Sequence, residues 1–140
     1  MYKNILIATD GSEIANVAIP HAIELAKALG AKLSAVTVVE PYDAVVESES
    51  HGDYNERSAE NAAEILSVVS SATQAAGIEC DALHQHNRLA YAGIIEAAEK
   101  IGADLIIVGS HGRRGIEGLL IGSQATKLLT HTKIPVLVVR

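Results

Sequence analysis

A chain of 140 residues, 49% apolar but with no Trp or Phe and four Tyr, has the size of one domain and must build its core from aliphatic groups, which suits a parallel sheet buried under helices. A formal charge of −6 with eleven dispersed Lys and Arg leaves no basic footprint, so neither nucleic acid nor an anionic membrane surface is an expected partner. The longest apolar runs, 105–108 and 135–139, are strand-length and fall short of the roughly 20 residues of a membrane span. The first residues lead straight into an apolar run and Asp10, without a cleavage-site pattern, and Cys80 is the only cysteine; a cytoplasmic protein with no disulfide and a buried free thiol is expected.

Residues 3–9 read as a buried strand ending in the turn Asp10-Gly11-Ser12, and Ile14, Val17, Ala18, His21, Ala22 and Leu25 follow at helical spacing. Pro20 removes the bond to the Asn16 carbonyl, so this helix should bend. His21, on the apolar stripe, reads as a core-edge residue. Leu29-Gly30 closes the helix, 32–39 is a second strand, and Ala59, Ala62, Ala63, Leu66, Val69 and Ala76 mark a longer second helix ending at Gly77. Between these, no basic residue occurs from Lys32 to Arg57, while Glu40, Asp43, Glu47, Glu49 and Asp53 gather around His51. The segment 40–54 reads either as a solvated connection or as a lid or docking loop. Residues 78–86 form a weaker third strand whose His84 and His86 share a face, with no third metal ligand evident. Ala90, Ile94, Ile95, Ala98 and Ile101 give a third helix ending at Gly102, and 104–108 is an unbroken buried strand. After a glycine-rich stretch, Ser123 caps a short helix through Ala125, Leu128 and Leu129, and 134–139 is the last strand.

Five strands alternating with four helices require right-handed crossovers. The expected fold is a single α/β domain over 1–140: a doubly wound, mainly parallel, Rossmann-like five-stranded sheet, with order 3-2-1-4-5 taken from the fold type.

In such a sheet the ligand sits beyond the carboxyl ends of the strands, where the winding reverses. Thr9-Asp10-Gly11-Ser12 after strand one and Gly109-Ser110-His111-Gly112-Arg113-Arg114-Gly115 after strand four would line one crevice. Glycines let backbone amides approach phosphate oxygens, and a helix opening at Gly122-Ser123 adds a positive end. Arg113 and Arg114 supply the cations an acidic protein needs to hold a polyanion. A glycine-rich surface loop with two solvated arginines fits the same residues. No Gly-Lys pair exists, which excludes a Walker loop, and the first turn lacks GxGxxG. Asp10, Ser110 and His111 are residue types of a hydrolytic triad, but without a GxSxG elbow His111 reads as a ligand-facing donor or a plain loop residue.

The spacing Gly109-x2-Gly112-x9-Gly122-Ser123 resembles the signature G-2x-G-9x-G-[S/T] of the ATP-binding universal stress proteins. The opening segment 5–12, the run 103–112 and the closing 135–139 resemble the same family, so the likeness spans the chain. It implies an adenine nucleotide alpha hydrolase-like fold, ATP with Mg²⁺ or Mn²⁺ on its phosphates, a homodimer through 135–139 and an unidentified protein partner. By the same resemblance Asp10 lies on the ribose and phosphate side and Val38 meets adenine through its backbone, with Ala8 also counted among the nucleotide-binding residues. Gly109 and Gly112 wrap the phosphates and Gly122 and Ser123 close the site from the helix N-terminus, and Ser110, His111, Arg113, Arg114, Gly115, Gln124 and Ala125 of the same two segments are expected nucleotide-binding residues beside them. Where the family commonly has a Gly-x-Pro turn this chain has Arg88-Leu89-Ala90, leaving Arg88 to reach the nucleotide or to cap the turn. The expected role is a nucleotide-responsive signalling module rather than an enzyme. The alternatives are a slow ATPase or phosphotransferase using Asp10 and His111, and a nucleotide-free scaffold working through 40–54.

Overall fold

Ile5, Leu6, Ile7 and Ala8 are all buried, alternating between two helix layers, and this central strand organises the rest. The computed structural model describes residues 1–42, 50–111 and 121–140. In chain order these form β1 (Asn4–Ala8), α1 (Glu13–Asn16), α2 (Ala18–Leu29), β2 (Lys32–Val39), α3 (His51–Ala75), β3 (Cys80–His86), α4 (Ala90–Ile101), β4 (Leu105–Gly109), α5 (Ser123–His131) and β5 (Val136–Val139). The sheet order is β3-β2-β1-β4-β5 and every neighbouring pair is parallel, as the alternation of elements predicted for the strand direction and the fold type for the order.

Strand alternation divides the core in two. Ile5, Ile7, Leu33, Ala35, Leu105 and Ile107 pack against Ala18, Ile19, Ala22 and Ile23 of α2 and Leu66 and Val69 of α3. Leu6, Ala8, Val36, Ile106 and Val108 meet Ala97 and Ala98 of α4 and Leu128 of α5 on the other face. Among the described residues no helix is long and apolar enough to cross a membrane.

Several expectations shift. The bent first helix is divided at Val17 into α1 and α2; Pro20 stands in the first turn of α2, where a helix tolerates a missing N–H. Its buried stripe is Ala15, Ala18, Ile19, Ala22, Ile23 and Ala26, whereas Ile14 and Val17 stay 48% and 41% exposed. His21 is therefore exposed rather than at the core edge. The second helix begins at His51, well before Ala59, because the Ser50 hydroxyl accepts the Asp53 amide at 3.1 Å and Tyr54 buries its ring while its hydroxyl donates to the Glu40 carbonyl. Residues 51–54 of the acidic segment are thus helical, and 43–49 lie outside the described residues. Cys80 is half-buried rather than buried; desolvation, then the Asp81 charge, pushes its thiol up to about 11. Gly122, not Ser123, is the N-cap of α5, and Ser123 is the first helical residue.

Candidate functional site

β1 and β4 lie side by side, with Ala8 opposite Val108. The chain leaves β1 towards α1 on one face, while the element after β4 is α5 on the other. Their carboxyl ends therefore flank the crevice of the doubly wound fold.

The turn after β1 is fixed by short-range polar contacts. Thr9 Oγ1 donates to Asn16 Oδ1 at 2.7 Å and accepts the Gly11 amide at 3.1 Å. Asp10 Oδ1 accepts the Ser12 amide at 3.0 Å, and the Ser12 hydroxyl caps α1 by accepting the Ala15 amide at 3.2 Å. Gly11 takes φ +84°, and a Cβ there would stand 2.8 Å from Ile65 Cγ1. Asp10 is thereby held half-exposed at the mouth of the crevice.

β2 outruns β1. The Val36 carbonyl accepts the Thr9 amide at 3.1 Å, so the polar groups of Val36 face β1. Alternation turns the N–H and C=O of Val38 the same way, but the β1 register ends at Ala8 opposite Val36. Beyond it Val38 presents a donor and an acceptor to the crevice rather than to a strand. Val39 faces the other neighbour, its carbonyl taking the Asn87 amide at 3.0 Å.

At the end of β4, a Cβ on Gly109 would lie 2.8 Å from both the Ala15 Cα and the Ile14 carbonyl oxygen. The backbone of α1 crosses here, and that packing demands glycine before any ligand is considered. The Ser110 amide donates to the Val139 carbonyl at 2.7 Å and its own carbonyl takes the Gly122 amide at 2.6 Å. Ser110 Oγ lies 3.1 Å from His111 Nδ1. His111 Nε2 is buried and, among the described residues, finds no hydrogen-bond partner. α5 begins at Gly122 without a side-chain cap, so the amides of Ser123, Gln124 and Ala125 lack intrahelical acceptors and carry the positive end of the helix.

The structure brings Ala8, Asp10, Val38, Gly109, Ser110, His111 and the first turn of α5 to one end of the sheet. Gly112, Arg113, Arg114 and Gly115 lie outside the described residues. The Gln124 side chain is engaged elsewhere: its Oε1 accepts the Tyr91 amide at 3.2 Å and ties α5 to α4, so Gln124 offers the crevice an amide only. Asn87 closes the turn before α4, its Oδ1 taking the Leu89 amide at 2.9 Å, the capping role left open for Arg88. An Asn shortly before a helix start is an Asx-turn signal that the sequence did carry. The His84 and His86 rings lie 5.6 Å apart on the exposed edge strand, and among the described residues no group of three His, Cys, Asp or Glu could hold a metal.

An open, doubly wound parallel sheet with polar backbone groups and an uncapped helix at its switch point defines a class of ligand-binding α/β proteins. Within that class the model of the universal stress protein family matches residues 1–140, and the chain belongs to this family. It is 34% identical to universal stress protein MJ0531 of Methanocaldococcus jannaschii, over 100% of this chain and 83% of that protein. The solved structure of the hypothetical protein MJ0577, subject of a structure-based assignment of biochemical function, superposes with TM-score 0.86 at 27% identity, covering 99% and 96% of the two chains. A universal stress protein solved in complex with cAMP superposes at 0.75 with 26% identity, covering 99% and 97%.

Proposed function

We propose that this chain binds an adenine nucleotide, ATP with Mg²⁺ or Mn²⁺ on its phosphates, and works in the cytoplasm as a homodimeric, nucleotide-responsive stress-signalling module rather than as an enzyme. The observation that carries this is the pairing of two complementary ends across one crevice. Val38 turns an N–H and a C=O past the end of β1, the arrangement that can read the edge of a planar base. The first turn of α5 offers amides without a side-chain cap, and the buried His111 Nε2 beside it lacks a partner among the described residues. A bound phosphate would satisfy both. The related protein solved with cAMP is in keeping with an adenine nucleotide as ligand. Signalling to a protein partner then requires the nucleotide to bind two conformations unequally.

Ser123→Asp tests the phosphate end. Ser123 is exposed in the first helical turn, where a carboxylate stabilises the helix but repels phosphate. Calorimetric titration should show ATP affinity reduced at least about tenfold, the scale of one misplaced charge near the helix end, with adenosine affinity and Tm preserved. Equal ATP affinity in both proteins, or a wild type that binds neither ligand, overturns the assignment.

A further inference from the structure

The amino end of α4 meets the carboxyl end of β2 with only the Val38 side chain between them. Gly93 is buried in the first turns of α4, its amide donating to the Leu89 carbonyl at 3.0 Å. A Cβ at this position would lie 2.7 and 2.9 Å from the two Cγ atoms of Val38 and 3.2 Å from Asn87 Cβ, well inside the roughly 3.5–4.0 Å of a normal carbon contact. The helix itself has no use for glycine here, since alanine is the better helix former. What the missing methyl group permits is the approach of Val38.

α4 is tied to the end of β3 with its following turn and to α5, which resists its retreat. The Glu96 carboxylate accepts Gln85 Nε2 at 2.9 Å and Asn87 Nδ2 at 2.7 Å. Asn87 Oδ1 holds the Leu89 amide at 2.9 Å, and Gln124 Oε1 holds the Tyr91 amide at 3.2 Å. The softer partner is the half-buried isopropyl group of Val38, at the strand end whose backbone faces the crevice. We infer that Gly93 is a specificity-determining position: by leaving its side of the contact empty it lets Val38 withdraw against α4 and keeps the base end of the crevice open for a purine. The inference rests on the crevice being an adenine-nucleotide site.

The experiment titrates adenosine, ATP and tripolyphosphate into wild type, Gly93→Ala, Val38→Ala and the double variant. Gly93→Ala should weaken adenosine and ATP by the same factor, about tenfold, the scale of one misplaced methyl group in a pocket, and leave tripolyphosphate unchanged. In the double variant, with the Val38 methyl groups removed, adenosine affinity should return to that of Val38→Ala alone, a non-additive cycle. Without ligand, the Val38 methyl resonances should move in Gly93→Ala while the thermal midpoint does not fall. Unchanged adenosine affinity, a parallel loss of tripolyphosphate, additive effects, or Val38 methyl groups that stay put each overturn the role of Gly93 while leaving the nucleotide site standing. A wild type that binds neither adenosine nor ATP overturns the site and this role together.

Discussion

Asp104, in the short connection between α4 and β4, clips three segments together. Its Oδ2 accepts the Lys3 amide at 2.8 Å and its Oδ1 the Asn4 amide at 3.0 Å. Its own amide donates to the Asn4 carbonyl at 2.9 Å, and Asn4 Nδ2 reaches the Ile101 carbonyl at 2.7 Å. Desolvation opposes ionisation of this carboxyl, but the backbone amides outweigh it and hold the group below its ordinary 3.8. A carboxyl depressed in the folded state contributes stability that is present above the ordinary pKa and is lost as pH falls through the folded value. Asp104→Ala should therefore unfold at lower denaturant at neutral pH, by about 1–2 kcal/mol for two lost hydrogen bonds. The gap from wild type should stay constant down to about pH 4 and close below it. Urea midpoints across that range check the sign; a gap that widens on acidification would contradict the clip.

Between elements, the decisive contact is the crossing of α1 over the end of β4. The crevice needs the turn after β1 and the loop after β4 close together, and Gly109 achieves this by letting backbone pass where a side chain would stand. Gly109, the first glycine of the spacing that resembles a phosphate signature, is thus also a packing requirement, and the two roles separate experimentally. Gly109→Ala should cost about 1–3 kcal/mol of stability without any nucleotide, as overpacking against backbone does, read from the denaturant midpoint of the ligand-free protein. A ligand-free midpoint equal to wild type, with nucleotide affinity lost, would assign Gly109 to phosphate alone. The same distinction explains what could be read from the chain. Contiguous aliphatic runs such as 105–108 declare buried parallel strands, and their alternation with helices gives the doubly wound class, whereas the strand order came from the fold type. The buried face of α2 was not legible, since small and large apolar residues at 14–26 satisfy two neighbouring stripes, and only packing on the sheet selects the one with Ala15, Ala18 and Ala22. The start of α3 was masked by its polar composition, although Ser50 three residues before Asp53 is a capping pattern. The contact of Gly93 with Val38 joins residues far apart in sequence and has no local signature.

For the molecule as a whole, the two edges of the sheet differ in character. β3 exposes Asp81, His84 and His86, and Asp81 pairs with Lys32 at 2.8 Å; charged and polar groups of this kind discourage pairing with another chain. β5 carries no charge along Val136–Val139, and Leu137 is 39% exposed. Beside it lies a shallow depression of about 310 Å³ lined by His21, Glu24, Leu25, Ala28 and Leu137. Antiparallel pairing of two β5 strands about a two-fold axis would satisfy the outer backbone groups of both and cover Leu137 twice. Such a dimer leaves the base end of the crevice open, because β4 and β1 stand between β5 and Val38. Leu137→Lys should therefore shift the protein towards monomer in sedimentation equilibrium, since two ammonium groups would meet across the axis, while ATP affinity stays at the wild-type value. A wild type that sediments as a monomer at every concentration would remove β5 as the dimer edge. A monomeric Leu137→Lys that no longer binds ATP would instead mean that the second copy helps to build the nucleotide site.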